Sequence, residues 1–244
     1  MHNLEEQLSY LNLPFLRENF KTLIDQAARK KTPHLDFFSS IVADEVAAKQ
    51  ERAALRRISQ ARFPYIKSLD QFNWAHPENI NQDLIRHLFK LGFVDTKANV
   101  AFLGGPGMGK THLTIALAHH ACSQGISVRF DTAINIINKL DAAQKNGNFQ
   151  KIMRSCTAPA ILVIDEIGYL PIDQRGADLL FQVISSRYER GSIIFSSNRS
   201  FNEWPAIFNN DKTITSAILD RVLHRCEVVV IEGKSYRMKE RRQA

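Results

Sequence analysis

The sequence predicts an α/β fold: a five-stranded parallel sheet with helices on both faces, preceded by a small all-helical domain. Three observations predict it. Apolar, β-rich runs recur at 99–103, 127–130, 160–164, 192–196 and 227–231, with helical stretches between them. Nearly continuous apolar strands that alternate with helices make a parallel sheet buried on both faces. The first run ends in a glycine-rich loop that opens an amphipathic helix, and ahead of all this residues 1 to about 67 show only helical spacing.

Length and composition set the bounds. A chain of 244 residues holds one large domain, or a core with a smaller appendage. No apolar run approaches the roughly 18 residues that span a membrane, and Met1 to Glu6 do not read as a signal peptide. Cys122, Cys156 and Cys226 are far apart and form no metal or redox motif, so a reducing cytosol is expected. The net charge of +7 favours a polyanionic partner such as nucleic acid.

In the helical segment, Leu4, Leu8 and Leu11 share one face, and Phe20, Leu23, Ile24 and Ala27 form a second stripe. Pro33 breaks the pattern, and Asp36 suits the N-cap of a long helix to about Gln60. The second half of that helix is basic. Lys49, Arg52 and Arg56 cluster on one side, and Arg57, Arg62 and Lys67 extend the charge. Such a face either lies on phosphates or is simply solvated. Residues 64–78 read as a linker, in which Phe72 and Trp74 either pack under the loop or line an adenine pocket. A helix from about Asn81 to Leu91 then leads to the first strand.

The loop carries the chemistry. Gly104, Gly105, Pro106, Gly107, Met108, Gly109, Lys110 and Thr111 fit the phosphate-loop pattern of nucleotide triphosphatases, with His112 next in the helix. Glycines let backbone N–H groups curl around an anion, and the following helix adds its positive end. Lys110 reaches the β- and γ-phosphates, and the Thr111 hydroxyl suits Mg²⁺. The third strand runs into Asp165 and Glu166, the Walker B pattern. Asp165 is placed to hold Mg²⁺, and Glu166 to act as general base on water. Asn198 ends the fourth strand, where it can meet the γ-phosphate or the water. Arg221, with Arg225 as competitor, suits a finger supplied to a neighbouring subunit; Arg237 offers another arginine near the site. His112, His119 and His120 lack a matching ligand set and read as helix surface or core.

These residues carry a resemblance. The loop with His112 and Leu113, the run from Val163 to Leu170, Ser196 to Asn198, Leu219 to Arg225 and Gly233 to Arg237 together resemble the IstB-type transposition helper ATPases. Arg56 to Lys67 also resembles that family's helical region, so the similarity covers most of the chain. These are AAA+ proteins of bacterial insertion elements, related to the DnaC helicase loaders. The resemblance implies an AAA+ P-loop ATPase domain over 68–244, after a DNA- or partner-binding helical domain over 1–67. It implies ATP and Mg²⁺ as cofactors, a bacterial cytoplasmic setting, a homo-oligomer with ATP between subunits, duplex DNA, and a DDE-type transposase as partner. It makes Asp165 and Glu166 the Walker B pair, Asn198 sensor 1, Arg221 the arginine finger and Arg237 sensor 2. The helical stretch Thr132 to Arg154 matches the extra motif of initiator-type relatives and brings Lys139, Lys145, Lys151 and Arg154 as phosphate contacts. One departure is that about a dozen residues follow the last strand, so the C-terminal lid is expected to be reduced or absent. A helicase loader and a nucleotide-gated scaffold with negligible turnover stand as the alternatives.

Overall fold

A computed structural model describes residues 2–233, 235 and 236. The chain divides into two units, Met1–Arg56 and Arg57–Ala244. The first holds α1 (His2–Tyr10), α2 (Pro14–Lys30) and most of α3 (His34–Ala61). Proline at the first position of α2 sets its φ, and Lys31 ends the helix in a left-handed conformation. α3 starts directly after Pro33, so Asp36 lies in its first turn instead of capping it. There its charge still favours the positive end of the helix. Among the described residues of this unit only Glu45 is buried. Its carboxylate accepts from the Leu16 N–H at 2.9 Å and pairs with Arg52 at 3.0 Å.

The second unit carries the sheet. After the end of α3 come β1 (Asn79–Ile80), α4 (Gln82–Leu88), α5 (Gly92–Asp95), β2 (Asn99–Gly104), α6 (Lys110–Ser123) and β3 (Val128–Thr132). Then follow α7 (Ala133–Lys145), α8 (Phe149–Thr157), β4 (Ile161–Ile167), α9 (Gln174–Arg187), β5 (Ser192–Ser197), α10 (Trp204–Ile207), α11 (Lys212–Leu223) and β6 (Cys226–Glu232). The strand order is β1-β6-β2-β5-β4-β3. The five expected strands are all present, and all pair in parallel. The sixth, β1, is new: two residues, antiparallel to β6 through Asn79–Glu232 and Ile80–Ile231. So short a strand, half of it polar, carries no periodicity to read.

Helices cover both faces, as the apolar strands require. On one side α4 and α6 pack with Ile85, Leu88, Leu113 and Leu117 against Val100 and Phe102. On the other, α7, α9 and α11 pack with Ile136, Leu180 and Ile218 against Leu162, Ile164 and Phe195. Phe72 joins the first of these cores, and Trp74 packs against it.

One buried charge ties the second face together. Arg187, the last residue of α9, is 1 % exposed. Its guanidinium donates to the carbonyls of Cys156, Thr157 and Pro159 through Nη1, and of Ala160 and Ser192 through Nη2. Two of these belong to the last turn of α8, whose dipole is negative there. Burial lowers the Arg187 pKa to about 10, so it stays charged at neutral pH. Arg187→Met should cost about 3–5 kcal/mol of stability, because it strands several buried carbonyls at once. Urea denaturation checks this: a loss below about 1 kcal/mol would mean that water replaces the guanidinium.

Candidate functional site

The site lies at the carboxyl ends of the strands. β5 stands between β2 and β4, so the glycine loop after β2 and the acidic pair in β4 flank the end of β5. Two glycines of the loop are obligatory. Gly104 has φ +149, and a Cβ there would lie 2.2 Å from the Ile231 carbonyl oxygen. Gly109 has φ +91, and its Cβ would lie 2.6 Å from the Phe72 ring. Any side chain at either position would push the loop off β6 or off its aromatic support.

Lys110 opens α6 and donates from Nζ to the carbonyls of Gly104 and Gly105, both at 2.8 Å. Its ammonium is thus held over the loop. The Thr111 hydroxyl donates to Asp165 Oδ1 at 3.3 Å, and Ser196 Oγ donates to the same oxygen. Burial raises the Asp165 pKa, and the bonds from Ser196 and Thr111 oppose the rise. A hydroxyl and a carboxylate side by side are the hard oxygen donors that Mg²⁺ takes, and its charge would favour the ionised carboxylate.

Glu166 follows Asp165 yet faces the other way: Asp165 is buried and Glu166 is exposed. Successive residues of a strand face opposite sides; here a register shift also falls between Ile164 and Ile167, with Glu166 at φ +62. That left-handed conformation is uncommon for glutamate and costs on the order of 1–3 kcal/mol. The Glu166 N–H donates to Ser196 Oγ at 3.0 Å, so Ser196 bonds both the Asp165 carboxylate and the Glu166 backbone. The result is a cleft of about 420 Å³ lined by Thr111, Asp165, Glu166, Thr132, Tyr65 and Lys139. Carboxylate, hydroxyl and loop amine together can hold a nucleotide phosphate and take a proton from water.

Asn198 is the first residue past β5, with its Oδ1 buried and without a partner among the described residues. His112 lies against Phe72 with ring centroids 5.4 Å apart, and its Nε2 meets the Ser68 carbonyl at 2.9 Å. Burial, aided by Lys67, lowers its pKa; the Ser68 bond opposes this. On the same helix, His119 lies edge-on to Phe63 with ring centroids 6.4 Å apart, and His120 Nε2 meets the Phe89 carbonyl at 3.0 Å. Phe72 packs under the loop, 7 % exposed within the core, and also lines a cleft beside the loop.

Arg221 sits at the opposite end of the sheet. Asn99, the first residue of β2, donates from Nδ2 to the Val222 carbonyl and from its N–H to the Arg225 carbonyl. The loop starts at Gly104, five residues on, about 17 Å away at roughly 3.3 Å per residue. The Arg221 guanidinium lies 4.8 Å from the Phe181 ring and donates to the Ala217 carbonyl. Arg237 lies outside the described residues.

The basic candidates scatter. Lys49 and Arg56 are exposed, whereas Arg52 is engaged with Glu45. Arg57 donates to the Cys122 carbonyl in the last turn of α6 at 2.9 Å. Lys145 pairs with Asp141 at 3.0 Å, and Lys139 pairs with buried Asp131. Lys139 also lines the Glu166 cleft. Sequence reasoning missed Ser196 and Asp131. Their signal was faint: a polar residue at the carboxyl end of an apolar strand.

The family model for the IstB-like ATP binding protein matches residues 6–244. The chain is 37 % identical over 244 residues to an ATP-binding protein of insertion sequence IS21 from Pseudomonas aeruginosa, covering 100 % of this chain and 92 % of that one. It is 36 % identical over 239 residues to one of insertion sequence IS5376 from Geobacillus stearothermophilus, covering 98 % and 95 %. Among solved structures, the DnaC helicase loader shares the fold with a TM-score of 0.55 at 22 % identity, over 68 % of this chain and 96 % of that chain. Replication initiator DnaA bound to AMPPCP and single-stranded DNA gives 0.57 at 19 % identity, over 72 % and 54 %.

Proposed function

This chain belongs to the family of IstB-like ATP-binding proteins, and on that premise we propose that it hydrolyses ATP and, as a multimer on duplex DNA, assists a DDE-type transposase in using its target. The observation that carries hydrolysis is Glu166, an exposed carboxylate turned by a strained backbone into the cleft of Thr111 and Asp165. A binding-only protein has no need of a base there. In this reading the loop N–H groups and Lys110 hold the phosphates, and Thr111 and Asp165 hold Mg²⁺. The metal supplies neutralising charge on the phosphates. Glu166 takes the proton of the attacking water, and Asn198 orients that water with its Oδ1, which has no partner among the described residues. Arg221 serves the site of a neighbouring subunit.

DNA contact belongs in this reading to the helical segment 1–67, where Lys49 and Arg56 stand exposed. The exposed Lys145 pair is weak enough to exchange for a phosphate. The setting is the bacterial cytoplasm; no helix among the described residues is long and apolar enough to cross a membrane.

Steady-state ATPase with and without duplex DNA tests the whole reading. DNA should raise turnover, and the DNA affinity should fall steeply as salt rises. No turnover in either condition removes hydrolysis; turnover indifferent to DNA, without salt-dependent binding, removes the DNA role.

A further inference from the structure

We propose that His76 reads the base of the bound nucleotide, in a seat that the Tyr236 ring covers. The proposal rests on the reading of the glycine loop as an ATP site. A triphosphate on that loop must extend its nucleoside into neighbouring space. The cleft that ends at Glu166 shares only Thr111 with the loop. A second cleft, of about 440 Å³, is walled by Gly107, Gly109 and Lys110 on one side and by Phe72 and His76 on the other. It alone, among these two, takes its wall from the loop itself, and it is where the nucleoside goes.

His76 lines that cleft and brings a ring nitrogen that is buried rather than solvated. Its Nε2 is buried and has no partner among the described residues. A buried ring nitrogen without a partner costs free energy that a partner would return. An imidazole nitrogen donates or accepts according to tautomer, and so matches either the ring nitrogens or the exocyclic amino group of a purine edge. The other aromatic groups are committed: Phe72 meets Trp74 edge-on at 5.0 Å and His112 at 5.4 Å.

Tyr236 decides access. Its ring meets the His76 ring edge-on, with centroids 4.7 Å apart. Its backbone N–H donates to the Gly107 carbonyl at 3.0 Å. The residue that covers the base reader is therefore tied to the phosphate loop. A base that pairs with His76 displaces the Tyr236 ring, so phosphate binding and base reading are linked through one backbone bond.

Calorimetric titration of the full chain with ATP and with inorganic tripolyphosphate tests this. His76→Phe keeps a ring against Tyr236 and removes both nitrogens. It should weaken ATP about 5- to 10-fold and leave tripolyphosphate unchanged. His76→Gln, which retains a donor and an acceptor, should recover part of the loss. An unchanged ATP affinity in His76→Phe overturns the proposal, as does an equal loss for both ligands, which would mark a packing role. If the wild-type chain binds neither ligand, the ATP-site reading itself fails and this proposal with it.

Discussion

Arg221→Ala should retain nucleotide binding and lose ATP turnover by about 10³- to 10⁵-fold, the scale on which an arginine finger acts. The reason is positional. Within one chain the Arg221 guanidinium stands near the amino end of β2, with Val222 and Arg225 bonded to Asn99, while the glycine loop lies past the other end of that strand. No rotamer of an arginine spans that distance, so any action on phosphate is on the phosphate of another copy. The local contacts of the guanidinium, an aromatic ring and a helix carbonyl, leave most of its donors for such a partner. Mixing Arg221→Ala with Lys110→Ala supplies the decisive measurement. Each variant lacks one half of the site, so mixed assemblies should contain some intact interfaces and regain part of the turnover. Absence of rescue, with both variants folded and associating, would argue against a finger acting in trans.

Glu166→Gln should bind ATP and DNA normally and lower turnover by about 10²- to 10⁴-fold, leaving the assembly trapped in its ATP state. Glutamine keeps the shape and the left-handed backbone but cannot accept a proton. Because Ser196 holds the Glu166 N–H and Asp165 separately, the substitution should leave the metal-facing carboxylate in place. Single-turnover kinetics separate the chemical step from nucleotide binding. Normal turnover in this variant would refute the role of Glu166 as base.

Much of the site was legible in the chain because its chemistry is backbone chemistry. The loop needs glycines at Gly104 and Gly109 to reach left-handed or close-packed conformations, and no other residue type supplies them. The same holds for Lys110 and Thr111 at the first turn of α6. Asn198 follows β5, which stands between β2 and β4 in the sheet. What escaped was pairwise and long-range. Arg187 looks like any helix-end arginine until five carbonyls, from α8, the segment that follows it and β5, converge on it. Lys139 looked like a surface cation until Asp131 claimed it. β1 exists only because β6 offers an edge to two residues.

By itself the sequence determined the order of strands and helices, the phosphate loop and the identity of the two carboxylates, since each follows from periodicity or from a local conformational demand. Only the tertiary structure decided that Asp165 is buried and Glu166 exposed with a left-handed backbone, that Ser196 bonds the Asp165 carboxylate and the Glu166 N–H, and that Arg221 stands away from its own loop. Those outcomes depend on a bulge between two strands and on which ends of the sheet the helices reach. Such contacts join residues far apart in the chain, and no local pattern of side chains encodes them.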